Sequence, residues 1–170
     1  NFPIGGEYIS MDAFKGCRNL ASVVLSDSIK NISSGTFAGC DNLNIFLNPN
    51  NPVYYIANGY LIHKKNKEII AGNLEKELPN SKNIQVIGSG SFAESATTKR
   101  LIKIPNNITT IGLDAFAYAG ISKVIIPQSV TSIDYSAFGY VKKCMFFCEA
   151  YTKPEKWEND WCGAQQYQVF

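Results

Sequence analysis

One pattern constrains this chain more than any other. Five phenylalanines each follow a small residue, in Ala13-Phe14, Thr36-Phe37, Ser91-Phe92, Ala115-Phe116 and Ala137-Phe138, at intervals of 23, 55, 24 and 22 residues. Five residues before each stands an isoleucine: Ile9, Ile32, Ile87, Ile111 and Ile133. Eight before, the residue is apolar in four of the five copies (Ile29, Ile84, Ile108, Val130), with Gly6 as the exception. A constant phase over a 22–24-residue period is the signature of a stacked repeat.

The local pattern says what one repeat is. After each turn comes a short apolar strand: "SVVL", "LIKIP", "KVIIP" and "MFFC". Alternation puts Val23/Leu25, Ile102/Ile104, Val124/Ile126 and Phe146/Cys148 on one side. A second extended segment carries the Ile-x-x-Ile pair. Neither edge can bury its apolar side alone, so the coils must stack, like residue over like, at the strand spacing of ~4.8 Å. The phenylalanines and isoleucines are then two buried ladders.

Three residues after each Phe come Cys17, Cys40, Ser95, Ala119 and Val141. A nucleophile or metal ligand does not exchange with Ala or Val, so this column reads as small packing residues, with Cys17 and Cys40 as buried, unreactive thiols. Cysteine is odd in number, five in all, without C-x-x-C. Cys148–Cys162 or Cys144–Cys162 could pair in an oxidising compartment; thiols are favoured, because Cys148 falls at an inward strand position.

The string I-x-x-x-A-F-x-x-C-x-x-L-x-x-V-x-L-P, clearest in "GTFAGCDNL" and "AFKGCRNLASVVL", resembles the BspA-like (treponemal-type) leucine-rich repeat, from about Ile9 to Cys148. "SFAESATTKRLIKIP" departs from it, with a longer turn and Lys99 in the leucine slot. The resemblance implies a β-rich right-handed solenoid with two short extended segments per coil. It also implies a secreted or cell-surface protein of host-associated bacteria or some protozoa, adhesin-like in some members.

The array is expected to span 1–150, with a modified, hairpin-bearing coil at about 48–79. There "YLIH" (Tyr60–His63) should pair with "EIIA" (Glu68–Ala71) across "KKNK". Lys64, Lys65 and Lys67 read as a solvated turn, and His63 as an ordinary strand residue. Residues 151–170 are expected as a C-terminal capping helix. Thr152-Lys153-Pro154-Glu155 fits a capping box, and Trp157 and Trp161 share one helical face. An aromatic sugar platform is the functional alternative for the two indoles. The opening "NFPIGGEYIS" reads as the tail of a coil, with a signal peptide removed or upstream repeats missing.

No catalytic constellation is present: no G-x-S-x-G, H-E-x-x-H, P-loop or G-x-G-x-x-G. A net charge of +2 gives no argument for nucleic acid, and one histidine excludes multi-imidazole metal sites. No apolar run approaches the ~18 residues of a membrane span. The expectation is a monomer without metal or cofactor that binds a protein partner, host or extracellular matrix; the alternatives are a structural spacer and, last, an enzyme. The expected binding stripe consists of outward residues on the first strand of each coil: Val24, Lys103, Ile125 and Phe147, with Phe46 or Leu47 in the "NIFL" coil. Strand preference alone is the bland account of the same pattern. The sequons at Asn31 and Asn107 matter only in a eukaryotic source.

Overall fold

A computed structural model describes residues 5–97 and 101–163; Lys99 lies outside the described residues. In chain order the strands are β1 (Tyr8–Ile9), β2 (Ser22–Leu25), β3 (Asn31–Ile32), β4 (Asn44–Leu47), β5 (Tyr54–Ala57), β6 (Tyr60–His63) and β7 (Glu68–Ala71). Then come β8 (Val86–Ile87), β9 (Leu101–Lys103), β10 (Thr110–Ile111), β11 (Lys123–Ile126), β12 (Ser132–Ile133), β13 (Met145–Cys148) and β14 (Lys156–Trp157). Together they form a β-solenoid of about seven turns.

The short strands stack in parallel with like over like: Ile9 on Ile32, and Ile87, Ile111 and Ile133 in a second run. The longer strands do the same, Val23 beside Ile45 and Ile102 beside Val124 and Phe146. The inward residues of both edges are buried. Each isoleucine or valine so buried contributes ~1.5–3 kcal/mol, available only once a neighbouring coil is in place.

The turns form the third edge. Phe37, Phe92, Phe116 and Phe138 are buried. The rings stack in pairs, 5.6 Å between Phe14 and Phe37, 5.2 Å between Phe92 and Phe116, and 4.8 Å between Phe116 and Phe138. Phe14 is half-buried and stacks on Phe37. Backbone bonds tie turn to turn: Phe92 N–H to the Ala115 carbonyl (2.8 Å) and Phe116 N–H to that of Ala137 (2.7 Å). Each turn needs two left-handed residues. Asp12, Gly35, Gly90, Asp114 and Ser136 stand two before the phenylalanine, and Gly16, Gly39, Glu94, Tyr118 and Tyr140 two after, all with φ between 50° and 71°.

The segment between Phe37 and Phe92 is a wedge. β6 pairs antiparallel with β7, His63 opposite Glu68, as the "YLIH…EIIA" pattern predicts. β5 adds an unexpected strand on the other side of β6. Leu61 and Ala71 face the core of the first coils, whereas Tyr60, Ile62 and Ile69 face that of the later coils. β6 is therefore buried on both faces, which is why "YLI" does not alternate. Two polar residues hold the wedge. The buried Asn51 amide donates to the carbonyls of Ser26 and Ile29 (both 2.9 Å), and its oxygen accepts from the N–H of Val53 and Tyr54. Tyr54 Oη accepts from Ile32 N–H (3.0 Å) and donates to the Lys30 carbonyl (3.3 Å). On the turn edge the array closes over the wedge, Gly39 N–H donating to the Ala93 carbonyl at 2.9 Å.

The expected capping helix is not found. Residues 151–163 make another coil edge, in which β14 pairs with β12 and Trp157 takes the isoleucine slot beside Ile133. Pro154 is not the first residue of a helix. Its carbonyl accepts from Trp157 N–H (3.1 Å), as Pro105 does from Ile108 and Pro127 from Val130. The last coil is abbreviated after that proline. Trp157 therefore lies beside Ile133 while its Nε1–H reaches the Val130 carbonyl at 3.1 Å. Trp161 packs on Phe138 and Phe146. The i, i+4 spacing read as one helix face is that of Ile133 and Ala137, since Phe138 N–H donates to the Trp161 carbonyl as Phe116 N–H does to that of Ala137.

Phe116→Ala should lower unfolding stability by ~3–5 kcal/mol, the usual range for a buried phenylalanine. Asn51→Ala should cost ~1–3 kcal/mol, the penalty for stranding buried backbone groups. Urea unfolding followed by circular dichroism measures both; a loss below ~0.5 kcal/mol at either position contradicts the assignment.

Candidate functional site: the outward face of the long strands

The long strands place every residue of the expected stripe on the outward side, but not in one stripe. Val24 lies opposite Phe46 on β2–β4. Lys103, Ile125 and Phe147 form a row across β9–β11–β13, a separate sheet. The wedge explains the division, since it separates β4 from β9 in the stack. Val24 and Phe46 are 47% and 59% exposed and Phe147 is 43% exposed; Ile125 is half-buried. The phase of "NIFL" is settled by Ile45, which is buried and turns Phe46 outward.

A second row was missed. Leu101, Lys123 and Met145 align across the same three strands, two residues before the first row, with Leu101 and Met145 exposed. Strict alternation turns the first residue of each strand outward as well as the third, so the signal was in the sequence. The face of β9–β11–β13 thus carries Leu101, Met145, Ile125 and Phe147, with Lys103 and Lys123 in the same rows.

The basic hairpin tip is not three free cations. Lys64 Nζ donates to the Asn51 carbonyl (2.6 Å), and the Lys67 carbonyl accepts from the N–H groups of Gln85 and Val86. Another aromatic surface went unread. Tyr118 and Tyr140 stack at 4.5 Å with 6° between the rings, both exposed and both left-handed. Their shared position two residues after Phe116 and Phe138 is the signal that marks them.

The cysteine column needs one correction. Cys40 is buried, and its thiol donates to the Phe14 carbonyl. Cys17 is exposed. Burial pushes the Cys40 thiol up to about 11 and Cys144 up to about 12, with the neighbouring thiols Cys17 and Cys162 adding to it. Burial likewise holds Cys148 up at about 11. All five cysteines are free thiols. Among the described residues no group of three or more His, Cys, Asp or Glu is placed to hold a metal. Nor is any helix among them long and apolar enough to cross a membrane.

Stacked parallel coils with an Ile-x-x-x-small-Phe turn define a leucine-rich repeat solenoid. Over residues 1–76 the chain matches the family model described as the BspA type leucine rich repeat region. No curated protein matches the chain. Among solved structures, that of the pneumococcal vaccine antigen PcpA is similar at 20% identity and a TM-score of 0.67, over 85% of this chain and 42% of that one. A leucine-rich repeat protein from Eubacterium ventriosum is similar at 13% identity and TM-score 0.44, over 87% and 60% of the two chains. One from Bacteroides ovatus is similar at 20% and 0.43, over 89% and 30%. The chain thus spans less than half the length of the PcpA structure.

Native-state maleimide labelling at neutral pH should modify Cys17 and spare Cys40 and Cys144. Equal rates at Cys17 and Cys40 count against the burial account. The unfolded chain releases its thiol protons near 9.0, whereas folded Cys40 holds its proton to about 11. The folded state therefore binds more protons in that window, and stability should fall as pH rises through it. Cys40→Ala should flatten that fall.

Proposed function

We propose that this chain is a non-catalytic protein-binding module of a secreted or cell-surface protein, adhesin-like, engaging a host or extracellular-matrix protein. The observation that carries the reading is the outward face of β9–β11–β13. Met145, Phe147 and Ile125 adjoin there, with Leu101 across Lys123 in one row and Lys103 beside Ile125 in the other. A contiguous apolar patch of this kind marks an interface more often than a solvated wall. Large apolar side chains flanked by cations suit a protein surface with an apolar centre and acidic edges. A plain spacer has no use for such a face. Leucine-rich repeat folds are typically non-catalytic, and the likeness to the pneumococcal vaccine antigen PcpA agrees with an exposed location.

The test is the pair Ile125→Asp with Phe147→Ser, shown by circular dichroism to stay folded. Immobilised matrix proteins that retain the parent chain should lose at least tenfold in affinity for the pair. Binding unchanged within twofold removes this face as the site. Val24→Asp with Phe46→Ser, on the separate β2–β4 sheet, should leave the same binding intact.

A further inference from the structure

The wedge leaves a second feature that the repeat itself does not require. Between the later coils the short strands follow one another without interruption from β7 to β14. Between β3 and β7 that ladder is broken, because β3 pairs only with β1. At the break lies a cleft of about 320 Å³. Its polar wall is Asn31, Ser33 and Ser34 from the first coils, His63 and Glu68 from the wedge, and Ser89 from the later coils. Ile70 and Leu113 supply apolar surface beside them.

We propose that this cleft is a binding site for a neutral sugar unit. Its volume is in the range of small-ligand sites. Three arguments select the chemistry. First, Glu68 is the only carboxylate among the lining residues and no lysine or arginine joins it, which disfavours an anion. Secondly, the edge of β3 that an incoming peptide strand would need is occupied. Ile32 N–H is already given to Tyr54 Oη, which also donates to the Lys30 carbonyl. The cleft therefore reads a ligand with side chains, not with a strand edge. Thirdly, the wall offers both donors and acceptors on a small apolar surface, which matches a ring of hydroxyls with a C–H face.

The polar groups are held in place. Asn66 N–H donates to His63 Nδ1 (3.1 Å), so the neutral imidazole presents Nε2–H as a donor. Asn66 Nδ2 donates to Glu68 Oε2 (3.3 Å), fixing the carboxylate as an acceptor. Ser33 Oγ is tied to Tyr8 Oη at 2.8 Å. The His63 ring stands edge-on to the buried Tyr54, with centroids 5.3 Å apart. Little side-chain freedom remains to be lost on binding.

The experiment is an amide NMR titration of the whole chain with the methyl glycosides of glucose, galactose, mannose and N-acetylglucosamine, each to ~20 mM, which reads dissociation constants near the millimolar mark. Cadaverine runs in parallel as a cationic probe. At least one glycoside should give saturable shifts confined to Ser33, Ser34, Glu68 and Ser89. Ser34→Leu, at the exposed rim, and Glu68→Gln, which keeps the shape, should each weaken it at least fivefold. The Ile125→Asp/Phe147→Ser pair should not change it, so this result stands apart from the fate of the protein-binding face. No saturable shift with any glycoside overturns the proposal. So do shifts unchanged within twofold in both cleft variants, or cadaverine binding tighter than every glycoside, which makes the cleft a cation site.

Discussion

The structure depends on the bond between successive turns. The N–H of Phe14, Phe92 and Phe116 donates to the carbonyl just before the phenylalanine of the next turn, and the rings stack beneath that bond. Once two turns are joined in this way, the strands leaving them are already in register, and isoleucine must meet isoleucine. The turn demands two left-handed residues. Glycine and aspartate meet the demand in the first coils, but Glu94, Ser136, Tyr118 and Tyr140 occupy the same slots later. Such residues cost of order 1–3 kcal/mol each. They persist because every coil is held on three edges at once, so no single residue can relax alone.

The same bond explains how the array survives an insertion. On the turn edge, Gly39 still finds Ala93, although 53 residues of sequence lie between them. On the strand edges a wedge enters, and both its faces must be buried. Fully buried Leu61 and Ile62 serve one core each. Where the wedge meets β3 there is no strand to complete the ladder, so a phenol does part of the work. Tyr54 takes the Ile32 amide and the Lys30 carbonyl that a further strand would have taken. Asn51 does the same for carbonyls on the other side. The "NPVY" run is thus a polar substitute for a missing rung.

Those features also mark what the sequence made legible. The coil, its two strands and the hairpin follow from phase and alternation, since each of those signals is one residue facing one core. Trp157 and Trp161 misled because one spacing fits two structures. Four residues separate neighbours on a helix face, and four also separate the isoleucine slot from the one just before the phenylalanine, as in Ile133 and Ala137. Cys17 misled for a different reason. A shared column does not give a shared exposure: Cys17 is exposed and Cys40 buried. Leu101 and Met145 were legible but unread, and Tyr118 with Tyr140 likewise. The cleft was not legible at all. It arises where residues from Asn31 to Leu113 come together across a break in pairing, and no local pattern announces a bond that is not made.

A repeat array separates the work of its residues by column. The inward columns hold nearly one residue type throughout, because each site sees the same neighbours, and so they carry little information about partners. The outward columns are free to differ: Ser22, Asn44, Leu101, Lys123 and Met145 share one slot and almost no chemistry. The wedge adds to that freedom by dividing the long strands into two sheets, so that β9–β11–β13 presents its apolar face without β2–β4. It also breaks the short-strand ladder on another edge of the coil, where the polar cleft lies. A single irregularity thereby gives a uniform scaffold two chemically unlike surfaces, one apolar and open, one polar and recessed. The regular columns hold both in place without taking part in either.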